Sequence, residues 1–361
     1  MTREPEAYTT VGYFNLAKGL GMVLILLGHS ITPFYPRHLL QTGLFSGAGS
    51  VLGAGMIAMF FMISGFGFYS RSPKRCLRIQ TKTLLKPYVF TTTAILITKL
   101  LLSFVKNRSF CQNGGELVLT YLLGLNAEGG GLLGEIPIES VSIFWFILAL
   151  FGGWLLYNGI FRIKSETWRI ILIVTCVAAG YLLTLFSRVW PFCLPMILLS
   201  AGYLAAGYEI RKQKLLDRKL NLWFWLGILA ITIPCVAFGS VNIVACHWKL
   251  GILDVAGTFC VGFLLMKAYH IFMKIGVQGA VIHLLEAIGF HSVWIVFLHG
   301  YEKVIIPWYR LGALFPNAPV LSIAICFFAR WAVIYGMFRL LSQLTHLRRK
   351  KRTRTPIILE P

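Results

Sequence analysis

The chain has 361 residues, of which 57% are hydrophobic and only 13% charged, and its mean hydropathy is +0.74. A soluble domain carries about a quarter charged residues, so this composition excludes a soluble globular protein and points to a polytopic membrane protein. The formal net charge of +21 does not indicate a nucleic-acid partner, because the basic residues punctuate apolar spans and form no basic soluble domain.

The polar segment from Met1 to Thr10 leads into the first apolar run, which lacks a small-residue cleavage site and is expected to be a retained span rather than a signal peptide. With about 20 residues needed to cross a bilayer, the sequence predicts about ten spans. They fall near 12–33, 50–70, 87–105, 141–161, 168–187, 191–210, 221–240, 250–269, 290–308 and 319–342. The fold class expected is therefore all-α, a membrane helix bundle over residues 1–347 followed by a basic tail over 348–361.

The first span carries Lys18 and His29. Eleven residues make three turns plus about 20°, so the two side chains share a helix face about 16 Å apart along the axis. Ionisable residues at that depth are costly and are candidates for function. The spacing predicts a polar line from one membrane surface to near mid-membrane. Snorkelling of Lys18 and an interhelical hydrogen bond from His29 are the plainer alternatives.

The second span closes on Phe60 to Phe66, with Ser64-Gly65 inside it. A basic run follows, with Arg75, Arg78 and Lys82 before Pro87-Tyr88. It suits topology setting, anionic lipid or a phosphate-bearing ligand. The connection over 106–140 contains the glycines 129–131, the acids Glu128, Glu135 and Glu139, and an apolar stretch from Leu117 to Leu125 too short to span.

Trp145-Phe146 opens the fourth span, where a tryptophan is an interfacial anchor or a site residue. Asp254 and Arg330 are charges at intramembrane depth, and pairing with each other is one expectation. His299 and Glu302 stand at i, i+3 on one helix face, so the carboxylate is placed to orient the imidazole or to form a structural pair. The eight cysteines are scattered without a Cys/His cluster, which argues against a metal site or disulfide framework. Lys and Arg gather in the connections at 71–86, 162–169, 211–219 and 267–274 and in the tail, so these and both termini are expected in the cytoplasm.

Taken in order, these segments resemble the acyltransferase-3 superfamily of membrane acyltransferases, in particular its fucose-acetylase-like, polysaccharide-modifying branch. The resemblance runs from about Tyr13 to Leu341. Lys18 and His29 match its basic-x10-His pattern, Phe60 to Phe66 its F-F-x-x-S-G-F pattern, Trp145 to Leu150 its W-F-x-x-x-L segment, and Leu298-His299 a late Leu-His. Two positions depart from the pattern. Asn15 stands where the family often has Asp, and Lys18 replaces a frequent Arg and cannot make bidentate contacts.

The resemblance implies transfer of an acyl group, usually acetyl from acetyl-CoA as co-substrate, to a hydroxyl of a cell-surface glycan or its lipid-linked precursor. It also implies a plasma-membrane protein of a bacterial cell. His29 is then the expected catalytic base, with Lys18, Arg75, Arg78 and Lys82 receiving the CoA phosphates, Ser30 and Ser64 as oxyanion donors, and Trp145, His299 and Glu302 in support. A secondary transporter or lipid-glycan flippase is the alternative, which should show broken helices in both halves.

Overall fold

A computed structural model describes residues 11–34, 47–105, 114–126, 131–133, 136–138, 140–187, 189–313, 315 and 318–354. The acids Glu128, Glu135 and Glu139 lie outside the described residues. The chain is an all-α membrane bundle. Among the described residues, eight helices are long and apolar enough to cross a membrane.

The first two helices, α1 (Asn15–Ile31) and α2 (Ala48–Phe66), run antiparallel, with Phe14 meeting Phe66 at 5.0 Å. The predicted third span begins earlier than expected. Helix α3 (Pro73–Gln80) passes through a π turn at Thr81–Leu85 into α4 (Lys86–Val105). The basic run is therefore helical: Pro73 opens it in the first turn, where its missing N–H costs nothing. Cys76, Gln80 and Leu84, spaced by four, are buried, while Arg75, Arg78 and Lys82 stay exposed. The short apolar stretch at 117–125 forms most of α5 (Gly114–Leu123), whose Tyr121 carbonyl accepts from the Tyr88 hydroxyl at 2.7 Å.

A short hairpin, β1 (Gly131–Leu133) with β2 (Ile136–Ile138), precedes α6 (Trp145–Phe161) and α7 (Glu166–Phe186). Next come α8 (Leu194–Lys212) and α9 (Leu222–Phe238). Helix α9 has 17 residues, a rise of about 26 Å, somewhat less than a bilayer core of about 30 Å. A second hairpin, β3 (Val241–Asn242) with β4 (His247–Trp248), leads to α10 (Ile252–Lys274).

The predicted ninth span is a broken one. Helix α11 (Ala280–Phe290) and helix α12 (Ser292–Ile305) meet at a 75° bend. The last helix, α13 (Pro319–Arg354), continues past the boundary expected at 347, consistent with the good helix formers Leu, Arg and Lys there.

Packing places α2 and α8 at the centre, with α6 and α7 against α8, and α10 against α2. Helix α1 lies on the other side of α2 and packs along α11. The contact is glycine-mediated: a Cβ on Gly19 would collide with the Leu285 carbonyl, and one on Gly289 with the Asn15 carbonyl. Such close backbone approach is a common membrane helix interface.

The basic connections gather at one end of the bundle. Lys212 pairs with Glu166 at 2.8 Å, Lys274 with Asp217 at 2.9 Å, and Lys267 donates to the Leu215 carbonyl at 3.1 Å. Tyr13 at the foot of α1 bonds His270 at 2.7 Å. By the positive-inside rule this basic end is expected to face the cytoplasm. A reporter fused after Pro361 is expected to signal from the cytosol, and one inserted between Asn242 and His247 from the opposite side. The reverse pattern would overturn the orientation.

Asp254 and Arg330 do not pair. Asp254 is fully buried in the first turn of α10, where its Oδ2 accepts from the N–H of Leu250, in the turn before the helix, at 2.8 Å. Arg330 belongs to a different cluster.

Candidate active site

The bend between α11 and α12 turns the second arm so that it crosses behind α1 and lies against α4 and α13. The i, i+3 pair then becomes a real contact. His299 Nδ1 lies 2.6 Å from Glu302 Oε1, with both side chains fully buried. The same Oε1 accepts from Arg330 Nη1 of α13 at 2.8 Å, and Oε2 accepts from Trp308 Nε1. Arg330 is only 2% exposed, stacks over the Trp308 ring at 4.9 Å and reaches Cys326 Sγ with Nε at 3.4 Å.

Glu302 is thus held by three donors from three elements, α12, the 3-10 turn Trp308–Ala313 and α13, the pairing a buried carboxylate requires. With an acceptor at Nδ1, His299 carries its proton there and leaves a lone pair on Nε2. That Nε2 is buried and has no hydrogen-bond partner among the described residues.

His29 is a ring neighbour of His299. Its ring centroid is 5.2 Å from that of His299, tilted by 39°. Helix α1 is unbroken from Asn15 to Ile31, so the eleven-residue spacing keeps Lys18 and His29 within about 20° of each other. Lys18 stands in the first turn of α1, and His29 is two residues from its other end, the one furthest from the basic end.

Between Lys18 and His29 the interior is filled, not open. Met22, Leu26, Ile295, Leu298 and Ile334 form a buried apolar cluster between α1, α12 and α13. Lys18 is half-buried and makes no hydrogen bond or ion pair among the described residues.

Arg75, Arg78 and Lys82 share one exposed face of the α3 helix and its π turn, at the same basic end. That helix leans on α6, where Cys76 faces the Trp154 carbonyl, whereas α1 packs on α11, α12 and α13. The two parts of the expected headgroup surface therefore sit in different packing neighbourhoods.

The serines are placed otherwise than expected. Ser64 is near the basic end of α2 and accepts from Trp154 Nε1 at 2.9 Å, about 20 Å along the helices from His29. The buried Ser30 hydroxyl donates to its own helix at the Leu26 carbonyl, 2.7 Å away. Neither hydroxyl faces the His29–His299 gap in this arrangement. Trp145 is 3% exposed and stands one residue beyond Phe144, whose ring stacks on Phe297 of α12 at 6.2 Å. Its neighbour Phe146 meets Phe61 of α2 at 4.6 Å.

Chemically, the cluster offers an imidazole with an available lone pair, oriented by a carboxylate, facing a second imidazole across a short gap. That is the base-and-orienter geometry of proton-transfer sites. Sequence reasoning missed Trp308 and the partner of Arg330. The signal for the latter was present: Glu302 and Arg330 are opposite charges within late apolar spans.

A family model described as an acyltransferase domain matches residues 11–339. No curated protein and no solved structure matches the chain.

Proposed function

The chain belongs to this acyltransferase family, and from that premise we propose that it moves an acetyl group from acetyl-CoA to a hydroxyl of a cell-surface glycan or its lipid-linked precursor, in the plasma membrane of a bacterial cell. The observation that carries this reading is the pair of facing histidines, one locked by the buried Glu302–Arg330 pair, at the end of the bundle away from the basic helix α3.

In this reading the CoA phosphates meet Lys18 and the exposed face of Arg75, Arg78 and Lys82 at the basic end. The pantetheine arm follows α1 for about 16 Å, parting the Met22–Leu26 cluster, to bring the thioester to His29. His29 removes the proton of the acceptor hydroxyl as its oxygen attacks the thioester carbonyl. The C–S bond breaks, and the proton passes back to the leaving thiolate. His299, its tautomer fixed by Glu302, positions His29 by ring packing at 5.2 Å between centroids. The acceptor enters from the side opposite the basic end, where a surface glycan is available.

The bent pair α11–α12 is the feature from which a transporter or flippase reading would start, and the family match weighs against it. Purified protein in lipid vesicles, given radiolabelled acetyl-CoA and envelope oligosaccharides, is expected to label the carbohydrate with release of free CoA. Transport of label without ester formation would overturn the proposal.

A second measurement addresses the donor surface. A Lys18→Ala, Arg78→Ala double variant of verified insertion is expected to bind acetyl-CoA at least about tenfold more weakly, since each lost charge-assisted contact is worth about 1.5–3 kcal/mol. Normal affinity would leave these residues a topological role alone.

A further inference from the structure

On the far side of α2 from the histidines, α6, α7, α8 and α10 enclose a cleft of about 740 Å3. Its α7 wall runs from Glu166 to Ala178, a rise of about 18 Å, comparable to a fatty acyl chain. The walls are mainly apolar, including Ile173, Val177, Ala205, Ala206 and Phe259. Ile170 and Val174 line the cleft and are also 59% and 61% exposed on the bundle surface, so it opens sideways toward the bilayer.

The mouth at the basic end has a different chemistry. Arg169 lines it, with its guanidinium over the Phe161 ring at 5.1 Å, and its Nε is buried without an acceptor among the described residues. Arg211 is not itself a lining residue but lies over Tyr69 at 4.4 Å and over Tyr208, whose ring meets Phe161 at 5.0 Å; its Nη2 donates to the Phe68 carbonyl, while its Nη1 is buried without an acceptor among the described residues. The two carboxylates that also line this mouth are neutralised by other partners: Glu166 accepts from Lys212 at 2.8 Å, and Glu209 accepts from Gln213 at 2.9 Å and lies 3.8 Å from the same Lys212. A buried charged donor left unpaired is costly. The missing partner is an anion with several oxygens, and the cleft behind it accepts an apolar chain.

We propose that this cleft holds one anionic glycerophospholipid of the surrounding membrane, with an acyl chain along α7 and α8 and its phosphate against Arg169 and Arg211. A phosphate diester supplies acceptor oxygens that match the guanidinium fork, and the lateral opening makes the bilayer the source. The site is separate from the histidine pair and does not depend on the acyl-transfer reading.

Native mass spectrometry of the full chain extracted in mild detergent tests this. One phosphatidylglycerol-class lipid per chain is expected to survive extraction from vesicles containing equal phosphatidylglycerol and phosphatidylcholine. Arg169→Gln with Arg211→Gln is expected to lower its retention roughly tenfold. Ala206→Phe is expected to displace the chain while both arginines remain. Should the variants misfold, the wild-type competition decides alone. Equal retention of the two lipids, detergent only, or undiminished retention in a folded arginine variant would overturn the proposal.

Discussion

Replacing His29 by alanine is expected to lower acyl transfer by roughly 10²–10⁴-fold, the usual contribution of a positioned base. His29→Gln should lose as much, because it keeps hydrogen bonding but cannot take the proton. Acetyl-CoA binding should survive in both, since the basic contacts begin about three turns away. His299→Ala is expected to approach the same loss, as His29 would then lose the imidazole whose ring centre lies 5.2 Å from its own. The two residues act as one unit, so the double variant should be no worse than the more damaged single variant. Rates measured with protein of verified insertion check this. Near-normal turnover in either His29 variant would move the base to His299, and multiplied losses in the double variant would mean the histidines act independently.

The largest loss of stability is expected from Arg330→Met. Glu302 would keep Trp308 and His299 but lose its ion-pair partner Arg330, at full burial. Breaking a buried pair from one side costs about 3–5 kcal/mol, which should appear as a marked fall in thermal unfolding temperature in detergent. Arg330→Met combined with Glu302→Gln should recover much of that fall, because no uncompensated charge remains. A single variant as stable as the wild type would mean that Glu302 is not charged in the folded protein.

Much of the fold is legible in the sequence because lipid makes a simple demand: apolar runs of helical length, with Lys and Arg left at one end. The i, i+3 spacing of His299 and Glu302 likewise gives a contact directly, since one helix fixes both residues. What is hidden depends on other helices. Asp254 and Arg330 are both costly in lipid, but cost does not name a partner. The Leu250 N–H in the turn before α10 claimed Asp254, and the bend after Gly289 brought Glu302 to Arg330. The bend itself leaves little mark, because residues 280–305 are apolar on both sides of it and hydropathy does not register direction. The basic run shows its helix only through the buried Cys76, Gln80 and Leu84, a stripe that the charges between them mask.

The Glu302–Arg330 pair also constrains biogenesis. The acid precedes its cation by 28 residues, so α12 leaves the ribosome carrying a carboxylate before α13 exists to neutralise it. Inserted alone, each helix would place a charged group in hydrocarbon at about 2.5–3.5 kcal/mol on translocon scales. Entering as a hairpin, the two charges cancel before either meets lipid. The last two spans, α12 and α13, are thus expected to be released into the membrane together, and a stop between residues 306 and 319 to strand a helix that the bilayer has reason to reject.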